Sequence, residues 1–180
     1  MARNMNFEDW IGKGREQNER IDTSLSNAMS AALDRDDPAP RDGDPLPLPW
    51  HWMFFRDCTA QSELGADGLP ERGGLMPPVP LPRRMWAASD IKFNFPLRLG
   101  EIAVKRSEIT NVAEKSGKSG RLIFVNLCHT ILNETKEVAI LEKQTIVYTE
   151  TVKSGAMPPP RAAPKNPAWQ RTLMPDPGLL

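Results

Sequence analysis

The chain has 180 residues, of which 39% are hydrophobic, enough to bury one core. Its 23 basic and 23 acidic side chains cancel, which excludes a general nucleic-acid binder. Two cysteines, Cys58 and Cys128, offer neither a metal-ligand spacing nor a disulfide framework, so no metal site is expected.

No window approaches the ~18 apolar residues of a membrane-spanning helix, and no apolar signal segment follows Met1-Ala2-Arg3-Asn4, so a cytoplasmic protein without membrane contact is expected. The charge is unevenly placed. Residues 1–44 carry six basic and ten acidic side chains, which leaves the remainder positive by four and compatible with an anionic ligand.

Residues 1–22 read as a polar N-terminal arm in which Phe7, Trp10 and Ile11 form one short amphipathic turn, stopped by Gly12 and Gly14. Thr23 or Ser24 can then cap a helix to Leu33, because Leu25, Ala28, Met29, Ala32 and Leu33 recur at helical spacing. Residues 34–49 are an Asp, Pro and Gly rich loop. The aromatic run Trp50–Phe55 reads as a short strand, and Gly65-Ala66-Asp67-Gly68 as a turn.

The stretch 73–101 organises the middle of the chain. Pro77, Pro78, Pro80 and Pro82 forbid a helix and predict a stiff, extended lead-in. Beyond it Ile91, Phe93, Phe95 and Leu97 alternate with polar positions, the period of a half-buried strand. Arg83, Arg84 and Trp86 sit where the loop meets that strand.

Downstream, a strand over about 101–114 needs a bulge, because Ile102 and Val104 share one parity and Ile109 has the other. Residues 115–120 form a hairpin loop. Gly117-Lys118-Ser119 has the end of a phosphate-loop motif, but Val112 stands where its first glycine belongs. Leu122–Leu132 and Val138–Tyr148 pair as a second hairpin across 133–136. From Lys153 the periodicity ends, and seven of the eighteen prolines lie in the tail. The reading gives an α+β fold with an early helix, a Pro-rich segment and a curled antiparallel sheet. It divides into the arm 1–22, one domain 23–152 and a linker or tail 153–180.

The run GGLMPPVPLPRRMWA, the FPLRLGE turn after it and the upstream DRDDPAPRDGDPLPLPWHWMFF carry a resemblance. They are similar to the N-terminal half of the MaoC-like double hot-dog hydratases and dehydratases. Within these they most resemble the type 2 hydroxyacyl-thioester dehydratase and mesaconyl-CoA (3-methylfumaryl-CoA) hydratase branch. The resemblance covers nearly the whole chain and implies a non-catalytic hot-dog half, with a coenzyme A thioester as substrate and no other cofactor. Relatives draw a catalytic Asp and His from a second half, which this sequence does not contain, and no upstream pair replaces them. No catalytic residue is therefore expected, and the isolated chain is expected to be inactive. The implied partner is a second hot-dog domain, either another copy or a separate catalytic chain. Two other readings stay open: a non-enzymatic acyl-CoA or partner-binding scaffold, and a fragment of a longer enzyme.

Five residues form the candidate substrate-binding set: Arg84, Arg83, Trp86, His51 and Trp52. The guanidinium forks suit a carboxylate or phosphate, or equally an ion pair with an aspartate between Asp34 and Asp44 that would staple the Pro-rich segment. His51 between two tryptophans fits an acyl-CoA contact and, more readily, a hydrogen-bonded structural histidine. His129 shares the parity of Ile123, Val125, Leu127 and Ile131 and reads as a strand histidine at the sheet's end.

Overall fold

A computed structural model describes residues 7–117, 120–151, 162–163 and 165–170. The proposed tail 153–180 therefore lies mostly outside the described residues, as do Lys118 and Ser119.

One antiparallel sheet dominates. Its strands are β1 (Gly14–Arg20), β2 (Arg83–Phe93), β3 (Ile102–Gly117), β4 (Gly120–Leu132) and β5 (Val138–Thr149), in the order β1-β3-β4-β5-β2. The two predicted hairpins are present. Val138 pairs with Leu132 at one end of β4, and Gly117 pairs with Gly120 at the other. Their β-branched alternation is local, so these strands were the easiest to read.

Helix α1 (Thr23–Ala32) starts as predicted, but Asp22 is its cap, accepting from the Ser24 backbone N–H at 2.7 Å. The Ser24 hydroxyl, which donates to the same oxygen, and that backbone bond hold the Asp22 carboxyl below its usual range. Leu25 and Met29 pack inward, while Ala28, Ala32 and Leu33 stay exposed. The predicted turn at the start of the chain is a 3₁₀ segment, Phe7–Trp10, and Phe7 and Trp10 pack on the core.

Four expectations are corrected. Residues 14–20, assigned to the arm, form edge strand β1, paired with β3 from Gly14 to Arg20. Its sequence GREQNER has no apolar alternation, and polar contacts fasten it instead: Arg106 to Glu16 at 2.7 Å, and the Glu19 carboxylate to the Phe55 N–H. Trp50–Met53 is a 3₁₀ turn rather than a strand, because Pro47 and Pro49 cannot join a ladder and their carbonyls instead accept from the Trp50 and Trp52 N–H groups.

The third correction concerns β2, which begins at Arg83 and ends at Phe93, with a bulge between Trp86 and Ala88. The bulge changes parity, so Arg84 and Trp86 lie on the same face as Ser89, Ile91 and Phe93, while Phe95 is exposed past the strand. Fourth, β3 does bulge, but between Ile109 and Asn111. Ile109 shares its face with Ala103, and Val104 is buried on the other side.

The inner face carries two apolar cores. The first gathers Ile21, Leu46, Trp50, Phe54, Ile131 and Ile140. The second gathers Val79, Leu81, Ile109, Val125, Leu127 and Tyr148 under the extended Pro-rich segment. Arg72 fastens that segment by donating to the carbonyls of Val79, Leu81 and Pro82. Among the described residues no helix is long and apolar enough to cross a membrane.

Candidate functional site

Inward-facing positions of a sheet between two apolar cores should be apolar themselves. Here they are not. Between Ala103 and Ile109, β3 presents Lys105 and Ser107; between Leu127 and Ile131, β4 presents His129; between Ile140 and Ile146, β5 presents Glu142 and Gln144. Register aligns Ser107, His129 and Glu142 as direct cross-strand neighbours, so a polar seam crosses the sheet and separates the cores.

The seam floors a cavity of about 630 Å³, which the turn Trp50–Met53, the 55–59 and 69–76 segments and the first residues of β2 complete. Its volume is that of a small-molecule pocket.

Glu142 is the centre of the seam. It is 2% exposed, and burial alone would raise its pKa. His51, Ser89 and Trp52 outweigh that, holding the carboxyl at about 2 and the group ionised at neutral pH. The Ser89 hydroxyl donates to Oε1 at 2.6 Å and Trp52 Nε1–H donates to Oε2 at 3.1 Å. Trp86 Nε1–H donates in turn to Ser89 Oγ at 3.0 Å, and the rings of Trp52 and Trp86 meet edge to face at 5.2 Å. His51 Nε2 stands 3.7 Å from Oε2, neither ring nitrogen has a hydrogen-bond partner among the described residues, and the ring contacts Phe93 and Trp52.

His129 is held differently. Gln144 Oε1, which can only accept, lies 3.4 Å from Nε2, so the neutral ring carries its proton there and Nδ1 accepts from the Ser107 hydroxyl at 2.8 Å. Burial, reinforced by the Lys105 charge, lowers its pKa to about 4. The ring is thus neutral at pH 7. It lies on the central strand with partners on both sides, not at the sheet's margin.

Of the five sequence-derived residues, His51, Trp52, Arg84 and Trp86 line the cavity and Arg83 does not. Arg83 is exposed on β2, its guanidinium 3.9 Å from Met85 Sδ. Arg84 is committed: Nε and Nη2 donate to the two oxygens of Asp67, both at 3.1 Å. The partner lies in the predicted Gly65–Gly68 turn, not between Asp34 and Asp44. Glu142, Lys105, Ser107 and Gln144 were not singled out. Each is a polar residue on the apolar parity of its strand, and that was the available signal. Among the described residues no group of three or more His, Cys, Asp or Glu is arranged to hold a metal ion.

An efficient general base or acid titrates near the working pH, whereas Glu142 and His129 sit at about 2 and about 4.

Residues 49–180 match the family described as hydroxyacyl-thioester dehydratase type 2. Over 172 residues the sequence is 41% identical to the mesaconyl-C(4)-CoA hydratase of Chloroflexus aurantiacus, a match covering 95% of this chain but 61% of that protein. Among solved structures, the ChsH1-ChsH2 complex from Mycobacterium tuberculosis superimposes with a TM-score of 0.57 at 15% identity, covering 79% of this chain and 85% of that one. The HadBC (3R-hydroxyacyl-ACP dehydratase) complex of the same organism gives 0.51 at 16%, covering 77% and 97%. These likenesses concern the fold, which is the α+β hot-dog fold expected from the sequence.

Proposed function

The chain belongs to the hydroxyacyl-thioester dehydratase type 2 family, and from that premise we propose that it is a non-catalytic hot-dog half of an acyl-thioester hydratase or dehydratase. It shapes the acyl-binding site in which a hot-dog partner adds water reversibly to an enoyl-CoA such as mesaconyl-CoA. The observation that carries this reading is the cavity on the inner face of the sheet. Its aromatic rim of Trp52 and Trp86 suits a flat, conjugated acyl group, and its polar floor is ionised or neutral in ways that do not turn over at pH 7.

Catalytic acid and base then come from the partner, a second copy or a separate catalytic chain, acting in the cytoplasm. His51, Trp52 and Trp86 contact the acyl group, and Arg84 through Asp67 keeps the wall in shape. Coenzyme A enters only as part of the substrate.

Affinity purification from the native source, followed by a hydration assay on the recovered complex and on the chain alone, tests this. The complex should turn over enoyl-CoA, and the chain alone should remain at background, since positioned acid-base groups supply about two to four orders of magnitude. Robust turnover by the purified 180-residue chain would overturn the proposal.

A further inference from the structure

Arg15, Arg56, Arg84 and Lys105 are the strongly basic side chains on the cavity wall; among the described residues two are already matched, Arg56 is exposed, and Lys105 is the one that is partly buried without a carboxylate partner. Arg15 forms a fork with Asp57 at 2.7 and 2.9 Å, and Arg84 does the same with Asp67. Lys105 has no carboxylate within 4 Å among the described residues, and the Phe55 ring, 6.0 Å from Nζ, is its nearest aromatic contact.

Lys105 also sits where a cation is not cheaply kept. It is half-buried on the inner face of β3, its parity that of the fully buried Ala103 and Ile109. Burial lowers its pKa, which reports incomplete replacement of the lost water. Glu142 does not make up the difference. Both of its oxygens are engaged by Ser89 and Trp52, and turning toward Lys105 would strand those donors.

We propose that Lys105 receives the free carboxylate of a dicarboxylic acyl group, with His129 and Gln144 beside it on the floor of the cavity. A compact monoanion is the fitting partner. It matches a single ammonium, whereas a phosphate dianion would bring a second negative charge toward ionised Glu142. The position is suitable as well. Lys105 pairs with Ile131, and Ser107 with His129, so the lysine is the diagonal neighbour of His129 within the seam. This rests on the acyl-thioester reading above and adds which residue of the cavity selects an acyl group that ends in a carboxylate.

The test compares mesaconyl-CoA, which carries a free carboxylate, with crotonyl-CoA, which does not, by titration calorimetry on the full chain, wild type and Lys105→Met. Met keeps the stem volume of Lys and suits the half-buried position. Wild type should prefer mesaconyl-CoA by roughly ten- to hundredfold, the worth of a hydrogen bond to a charged group. In Lys105→Met that ratio should collapse toward one, and Lys105→Arg should restore part of it. A preference that survives Lys105→Met, or a wild type that binds both thioesters equally, overturns the proposal.

A third probe separates it from the functional reading. Free crotonate, a compact monoanion, at millimolar concentration should raise the Tm of wild type and not of Lys105→Met. If wild type binds neither thioester but crotonate still gives this difference, the acyl-thioester reading fails and the carboxylate site stands. If crotonate stabilises both proteins equally or neither, the carboxylate site falls.

Discussion

Two charged clusters border the same cavity, and they use their charge in opposite ways. At one side Arg84 and Arg72 close on Asp67 and on backbone carbonyls of the Pro-rich segment, so each fork is filled by the protein itself. On the floor, Glu142 is filled by the donors Ser89 and Trp52, while Lys105 has no hydrogen-bond or carboxylate partner within 4 Å among the described residues. A saturated cluster is a fastening; an unsaturated one is a receptor. Residue type does not distinguish them, since arginine is the better fork on paper, yet here it is the lysine that is left over.

The sharpest way to break this contrast is to remove the acceptor on which the seam converges. Glu142→Ala leaves Trp52 Nε1–H and the Ser89 hydroxyl proton without an acceptor in a partly buried site, at about 1–3 kcal/mol each. Urea unfolding should show a loss of roughly 2–5 kcal/mol, and Glu142→Gln, which keeps a carbonyl acceptor, a clearly smaller one. A loss no greater than that of an average surface substitution would mean that the seam is not held together through Glu142.

Acid gives the next largest effect. The unfolded ring of His129 takes up a proton near 6.5, whereas the folded ring resists until about 4, so the unfolded state binds more protons in between. Stability therefore falls as the pH drops through that window, by roughly 3 kcal/mol at ~1.4 kcal/mol per pH unit. Below it Glu142 adds its own loss, because a carboxyl held at about 2 contributes stability that disappears once the pH passes under its unfolded value. Unfolding free energies at pH 7, 5.5 and 4.5 should trace this slope, and His129→Gln should flatten it. An unchanged slope in that variant would assign the acid sensitivity to other groups.

The smallest effect belongs to the fastening. Arg84→Ala should cost about 1–2 kcal/mol, since the pair is bidentate but the Asp67 side chain is 27% exposed. A lower Tm with acyl-CoA affinity retained fits a fastening. An unchanged Tm with affinity lost would instead make Arg84 a ligand contact and erase the difference between the two clusters.

What the sequence revealed follows from the range of each interaction. The β4–β5 hairpin was legible because Leu122–Leu132 and Val138–Tyr148 alternate and only five residues separate them. Strand β1 was hidden because an edge strand held by side-chain forks needs no apolar face. The aromatic run Trp50–Phe55 misled because strand propensity says nothing about whether a free ladder is within reach. His51, Trp52, Arg84 and Trp86 were found as local oddities of composition. The carboxylate on which His51, Trp52 and, through Ser89, Trp86 converge was not, because Glu142 lies 90 residues from Trp52 and 53 from Ser89, and only folding reveals that separation as a contact.

The bulge in β2 gives the cavity wall a tolerance in chain length. Because one extra residue sits between Trp86 and Ala88 opposite β5, the strand shows Arg84 and Trp86 on the same side as Ser89 and Ile91. Exchanging the Ala87 side chain, which is exposed, leaves that arrangement intact. Deleting the residue leaves it intact too: with Ser89 still opposite Gln144, Trp86 would stand two positions before it in a regular ladder, so Trp86 and Arg84 would still face the cavity. Only a further deletion, bringing Trp86 next to Ser89, would turn Trp86 and Arg84 to the outer surface and Met85 inside. The wall therefore has one residue of slack, and relatives with a single-residue gap here would build the same wall from the same amino acids.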